Sequence, residues 1–177
     1  MTMYSEEPVK AKLLALANPR EKYTLVVGSR LYPTSEDWRD LYDNAVGIDL
    51  QDGESVDIVH DLNSPLQGYE GEFEHVHCCS VMEHTTHPWI VAENITRLMQ
   101  PGATLFLTVP FVWRVHNYPG DYYRFTRDGV IHLFPGIEWE QLVYASHGEK
   151  TKRPFGETID GVCYMERTEV VGIGRRR

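Results

Sequence analysis

The stretch YTLVVGSRLYPTSEDWRDLYDNAVGID, residues 23–49, opens with an apolar run that stops at one glycine, Gly28, and closes with a second apolar run that stops at an acid, Asp49. Two apolar runs joined by a polar segment with helix-start chemistry describe a parallel strand–crossover–strand unit. Tyr23–Val27 reads as the first strand. Thr34 or Ser35 offers an N-cap, and Glu36 and Asp37 suit a first helical turn. Trp38, Leu41 and Tyr42 give an apolar stripe, so a short helix is expected over about residues 35–42. Ala45–Leu50 reads as the second strand.

The same alternation continues outward. Val56–Val59 reads as a brief third strand and Phe73–Cys79 as a fourth. His87-Pro88 opens a helix, since proline suits the first helical position, and Val91, Ile95, Leu98 and Met99 recur at helical spacing. Gln100-Pro101-Gly102 ends it. Ala103–Val109 is an apolar fifth strand stopped by Pro110. Asp128–Phe134 reads as a short helix, and Ile137–Tyr144 and Gly161–Ile173 as two late strands. Upstream, VKAKLLALA (residues 9–17) is rich in helix formers and ends at Asn18-Pro19, which suits a leading helix or arm. The expected fold class is α/β: a Rossmann-like, doubly wound, mostly parallel sheet with a C-terminal antiparallel hairpin at one edge, arranged as a three-layer sandwich.

With 177 residues the chain is one domain's worth. A net charge of −9 argues against a general nucleic-acid binder, because phosphate contacts need clustered Lys and Arg. The basic cluster Arg175, Arg176 and Arg177 reads as a solubilising end. No stretch approaches the roughly 18 apolar residues of a membrane span, and the N-terminus lacks a secretory pattern. Cys78, Cys79 and Cys163 are odd in number, which fits reduced, buried thiols in a cytoplasmic protein.

In an open α/β sheet the ligand sits beyond the carboxyl ends of the strands, where strand order reverses. Gly28 and Asp49 are 49 − 28 = 21 residues apart, which matches the spacing of about 20 between a first-strand glycine and an acid that holds ribose hydroxyls. A pyrophosphate needs close backbone approach over several residues. GSRLYP has one glycine, then arginine and bulky residues, so a dinucleotide is disfavoured; a nucleoside ligand without phosphates stays open, beside the plain reading of Gly28 as a turn and Asp49 as a solvated strand end. Asp61, after the third strand, can accept from an adenine amino group while the next backbone N–H reaches a ring nitrogen.

The segments VVGSR, VGIDLQDGESVDIVHDL, CCSVMEHTTHPW, LMQPGATLFLTVPF and DYYRFT fall in order across residues 23–134. Together they resemble the class I S-adenosylmethionine-dependent methyltransferases, in particular the small methyltransferase-11-like domains whose fourth strand leads into a VxEH turn. The resemblance implies S-adenosyl-L-methionine as cofactor. It implies that Gly28, Ser29 and Arg30 approach the methionine part, that Asp49 holds the ribose with Leu50 beside it among the cofactor-binding residues, that Asp61 and Leu62 hold the adenine, and that Ser80 lines the cofactor pocket. Arg30 would pair with the methionine carboxylate. The departure from the commoner pattern is the glycine-poor first loop. The implied domain is 1–177, with an N-terminal arm or helix (1–20), a cofactor-binding core (23–110), a substrate-side lid (111–135) and C-terminal strands (136–174).

Methyl transfer is an in-line displacement in which the protein orients the reactants and excludes water. A hydroxyl acceptor also needs a base, and His116 is the best single candidate, with an ordinary pKa of about 6.5. Glu83, His84, Asp121, Tyr122, Tyr123 and Arg124 are the substrate-side candidates. There are plain structural readings as well: Glu83 and His84 as caps, Arg124 as an ion-pair partner of Asp121 or Glu83, and Tyr122, Tyr123 and Phe125 as core aromatics under a lid. His75, His77, Cys79, His84 and His87 match no metal-ligand spacing, so no metal site is expected. The expected activity is methyl transfer to a small-molecule hydroxyl or amine acceptor in the cytoplasm, with no membrane, a nucleic-acid partner disfavoured, and a homodimer compatible with an exposed edge hairpin. The alternative is a catalytically inactive Rossmann-like scaffold or binding module. A dinucleotide-dependent reductase is opposed by the absence of GxGxxG and of a Tyr-x-x-x-Lys pair.

Overall fold

The computed structural model describes residues 4–5, 21–33, 37–117, 119–146, 157–159, 162–164 and 168–177. Among these the chain runs β1 (Tyr4–Ser5), β2 (Tyr23–Val27), a 3-10 turn (Trp38–Leu41), β3 (Asn44–Asp49), β4 (Ile58–Val59), β5 (Phe73–Cys79), a second 3-10 turn (Met82–His84), α1 (Pro88–Leu98), β6 (Met99–Val112), α2 (Arg127–Leu133), β7 (Ile137–Ser146), β8 (Glu157–Ile159), β9 (Val162–Tyr164) and β10 (Thr168–Arg176). The expected leading helix at 9–17 and the caps Thr34, Ser35 and Glu36 lie outside the described residues.

Eight strands form one sheet in the order β1-β7-β10-β6-β5-β2-β3-β4. β2 is parallel to both β3 and β5, and β5 is parallel to β6. β10 is antiparallel to both β6 and β7. The fold is thus Rossmann-like α/β, mostly parallel with antiparallel C-terminal strands. β3 and β4 lie on one side of β2, and β5 and β6 on the other, so strand order reverses at β2. A crevice is expected beyond the β2 and β5 tips.

One face of the sheet is built by Leu25, Val27, Val76, Cys78, Leu105 and Leu107, all buried. Val91, Ile95 and Leu98 of α1, spaced four and three residues apart, form the stripe that covers it. Each fully buried aliphatic chain there contributes about 1.5–3 kcal/mol. Val130 of α2 and Phe134 join the same core. On the opposite face Trp38 stacks on His77 with ring centroids 5.1 Å apart. The Tyr42 hydroxyl lies 2.5 Å from His77 Nδ1 and 3.4 Å from His75 Nε2, and His75 Nδ1 lies 2.7 Å from Thr104 Oγ1. His75 and His77 are therefore core residues, each with a hydrogen-bonding neighbour.

Four differences from the sequence reading have physical causes. The helix expected over 35–42 is, in its described part, one 3-10 turn that Asp37 caps by accepting from Arg39 N at 2.9 Å. Tyr42 is already extended there, because its ring turns onto His75, and Leu41 stays exposed. Pro110 does not stop β6, which runs on to Val112. Pro110 lacks an N–H, but the ladder is irregular beside it at Thr168/Glu169, where proline is tolerated. The C-terminal hairpin is not at the edge: β10 sits between β6 and β7, and β1 pairs with the outer side of β7. Residues 168–174 are buried throughout, as an interior strand requires. Finally, Arg175 and Arg176 belong to β10, Arg175 pairing with Glu140 and Arg176 donating to the Met99 carbonyl. They are not a loose basic tail. No helix among the described residues is long and apolar enough to cross a membrane.

Candidate functional site

A cavity of about 760 Å³ lies beyond the β2, β3 and β5 tips. Its volume is within the usual range for small-molecule sites of roughly 300–1,000 Å³. Gly28, Asp49, Leu50, Asp61, Leu62 and Ser80 all line it, as do His84 and His116. Val27, Ile48, Val81 and Val91 supply apolar wall.

Gly28 turns the chain off β2 at φ +71°, a conformation that favours glycine. A Cβ placed there would also lie 2.5 Å from Val81 Cγ2, so the loops after β2 and β5 touch at this point. Ser80, at the tip of β5, has φ +52° without being glycine, and its N–H donates to the Thr108 carbonyl at 3.0 Å. Backbone strain of this kind concentrates at functional sites.

Asp49 ties the first loops together. One carboxylate oxygen accepts from Arg30 N at 3.2 Å and the other from Gln51 N at 3.0 Å. A carboxylate has about four acceptor positions, so this geometry leaves capacity for two hydroxyl donors. Asp61 accepts from Asn63 N at 2.9 Å in an Asx turn at the cavity wall. Asn94, buried in α1, donates to the Leu62 carbonyl at 2.9 Å and anchors that wall to the helix. Ser29 and Arg30 do not line the cavity. The Ser29 side chain is buried against Gly47. The Arg30 guanidinium donates to Gln51 Oε1 at 2.6 Å, passes over Gly53 and lies 5.3 Å from the Tyr32 ring.

The segment after β6 closes the far side. Arg124 Nη1 donates to Asp121 Oδ1 at 2.5 Å and Nη2 to Oδ2 at 2.8 Å. Nη2 also donates to the carbonyls of Trp113 (3.3 Å) and Arg114 (3.0 Å), so this one side chain holds the loop together. Asp121 Oδ2 accepts from His116 N at 2.8 Å and lies 3.1 Å from His116 Nδ1. The guanidinium of Arg124, and after it the His116 backbone N–H, hold the Asp121 carboxyl well below the usual carboxylate range against the opposing effect of burial. Glu83 is buried, its Oε1 3.8 Å from His84 Nε2 and 4.0 Å from His116 Nε2. The His84 and His116 rings meet edge to face at 4.9 Å. Burial lowers the His84 pKa, partly offset by its hydrogen bond to the Gly120 carbonyl. Of the remaining candidates, Tyr122 is exposed and Tyr123 donates to the Thr86 carbonyl at 3.2 Å, both outside the cavity wall.

Tyr32, His60, Asn63 and Val81 line the cavity without having been singled out in the sequence. His60 and Asn63 flank Asp61, so the strand-end position that marks Asp61 could have marked them. Val81 follows Ser80, but its contact with Gly28 is long-range and has no sequence signal.

No family model matches the chain, and no curated protein matches it. Solved structures do match over nearly its whole length. A 1,6-didemethyltoxoflavin-N1-methyltransferase from Burkholderia thailandensis, bound to 1,6-didemethyltoxoflavin and S-adenosylhomocysteine, is 14% identical with TM-score 0.69, covering 96% of this chain and 77% of the other. The N-methyltransferase NodS from Bradyrhizobium japonicum, bound to S-adenosylhomocysteine, is 12% identical with TM-score 0.62, covering 97% and 87%. A SAM-dependent methyltransferase from Methanosarcina mazei is 12% identical with TM-score 0.63, covering 97% and 98%. The likeness is one of fold: the chain has the class I methyltransferase architecture.

Proposed function

We propose that the protein is an S-adenosylmethionine-dependent methyltransferase that acts on a hydroxyl or amine of a small molecule. The observation that carries this reading is Asp49, whose carboxylate lines the cavity at the tip of β3 while its two oxygens fasten the loops on either side. A sugar diol offers the two donors that such a carboxylate accepts. Asp61 and Leu62 lie farther along the same wall, where the polar edge and flat face of an adenine would meet a carboxylate and an aliphatic side chain. The single glycine of the first loop cannot wrap a pyrophosphate, and an adenosyl sulfonium has none. The cofactor supplies an activated methyl group.

The chain's own residues then orient, enclose and deprotonate. His84 and His116 stand at the wall on the side of the segment 111–135. Both neighbours of His116 Nδ1, Asp121 Oδ2 at 3.1 Å and the Arg114 carbonyl at 3.2 Å, are acceptors, so Nδ1 carries the proton. That leaves Nε2 with a lone pair to take a proton from the acceptor. Apolar wall residues exclude water from the path of transfer.

Thermal denaturation with S-adenosylmethionine, S-adenosylhomocysteine and NAD tests the reading, because a ligand raises the melting temperature only by binding the native state preferentially. The expected result is a shift with the two adenosyl-sulfur compounds and none with NAD. No shift with any of the three leaves a non-binding scaffold and removes the proposal.

A further inference from the structure

We infer that Glu83, His84 and His116 form a binding site for one divalent transition metal of the zinc class, at the acceptor side of the cavity. The inference starts from where the protons are. His84 Nδ1 is hydrogen-bonded to the Gly120 carbonyl, and a carbonyl only accepts, so that nitrogen carries the hydrogen. His116 Nδ1 faces a carboxylate and a carbonyl, so it too carries the hydrogen. In the neutral rings both Nε2 atoms are therefore lone-pair atoms. They face Glu83 Oε1, itself a lone-pair atom, at 3.8 and 4.0 Å, and the three donor atoms all lie within 4.8 Å of one another. Those separations exceed an N–H···O bond. Three lone-pair atoms that converge in a largely buried place have the donor arrangement of a cation site.

The outer contacts fit the same assignment. A metal-bound histidine characteristically donates its other N–H to a carboxylate or backbone carbonyl, which fixes the tautomer and the ring orientation. His116 has both partners and His84 has the carbonyl. The Asp121–Arg124 ion pair holds the carboxylate half of that arrangement in place. Metal–ligand bonds of about 2.0–2.2 Å set tetrahedral donor–donor edges of about 3.3–3.5 Å. The two edges to Glu83 must shorten by about half an ångström, and the edge between the histidines, within 4.8 Å, by up to about 1.4 Å, which side-chain rotations supply. Two imidazoles and one carboxylate select zinc-class ions over magnesium and calcium, which take oxygen ligands. Three protein ligands leave a fourth position open, and both histidines line the cavity, so an oxygen of the bound acceptor is the fitting fourth ligand. This role in the reaction rests on the methyltransferase reading, although the existence of the site does not. A bound cation changes His116 from a proton acceptor into a ligand. Sequence spacing hid the site because its third ligand, His116, comes 32 residues after His84.

Cobalt(II) is the probe, since its visible ligand-field spectrum reports coordination. The full chain, stripped with chelator, is titrated with Co²⁺ and then with Zn²⁺ or Mg²⁺, and thermal shift with S-adenosylhomocysteine is measured on the same samples. The expected result is one equivalent of Co²⁺, displaced by Zn²⁺ and not by Mg²⁺. Glu83→Gln and His116→Ala should each lower affinity at least tenfold, and His132→Ala, on exposed α2 surface, should leave it unchanged. Should Glu83→Gln fail to fold, His84→Asn carries the same expectation. Co²⁺ uptake no greater than in the Glu83→Gln/His116→Ala double variant overturns the site. Metal uptake without a cofactor shift upholds the site and counts only against the methyltransferase reading. A cofactor shift without metal uptake does the reverse.

Discussion

Asp121 grips Arg124 with both oxygens, at 2.5 and 2.8 Å, and with the second of them also holds the backbone and ring of His116. One ion pair therefore sets the position of a residue at the cavity wall. Lysine cannot reproduce a planar fork of donors. Arg124→Lys should cost about 1.5–3 kcal/mol, the range for hydrogen bonds to a charged group, read from urea unfolding. Asp121's folded pKa is depressed, so the pair's contribution is complete above its unfolded value of about 3.9 and is lost as pH falls below it. The difference between wild type and variant should thus be constant from pH 5 to 8. A difference that grew toward pH 8 would contradict this assignment.

Asp49→Ala removes the acceptor of two loop N–H groups and of the proposed diol. Losing hydrogen bonds to a charged group costs about 1.5–3 kcal/mol, or roughly 10- to 100-fold in affinity. Calorimetric titration with S-adenosylhomocysteine should show at least that loss. Unchanged affinity would take Asp49 out of the site.

Gly28→Ala places a methyl 2.5 Å from Val81 Cγ2 at a positive φ. Overpacking and strain of this kind each cost about 1–3 kcal/mol. Val81→Ala removes the contact but not the strain, so the double variant should recover part of the loss made by Gly28→Ala. Strict additivity in that cycle would show that the two loops do not press on each other.

His75 is fully buried, and burial lowers its pKa to about 3. The folded value lies below the unfolded one of about 6.5, so neutral His75 favours the native state above pH 6.5 and that stability is lost as pH falls toward 3. The slope from this one group approaches about 1.4 kcal/mol per pH unit. Unfolding free energies at pH 7 and pH 5 should differ accordingly. His75→Gln, which cannot titrate, should flatten the dependence.

The parallel half of the fold was legible because each of its strands ends in chemistry that sequence displays. Gly28 ends β2, and Tyr23–Val27 and Phe73–Cys79 have the bounds that their apolar runs set. β10 was harder to place. Its apolar run reads as a late strand of an edge hairpin, and nothing local says that β7 and β6 lie on its two sides, since those partners are fixed by packing across the chain. In the cavity, strand-tip residues such as Asp49 and Asp61 can be found by counting from a strand end. Arg30 cannot be placed that way. Its side chain is long enough to reach either side of the loop, and it lies against Gln51 and Tyr32 without lining the cavity itself. The Glu83–His84–His116 cluster joins two loops through three-dimensional closure alone.

The central place of β10 governs the order in which the sheet can be completed during synthesis. When a ribosome has delivered Ser146, β6 and β7 exist but the strand that joins them does not. About 30 residues separate that point from Arg176, a delay of roughly 1.5–6 s at about 5–20 residues per second. Through that interval the long apolar β6 has one bare edge, the kind of surface on which nascent chains aggregate. Chaperone demand during translation should therefore concentrate on β6, and a premature stop before residue 168 should disable the whole sheet rather than trim its end.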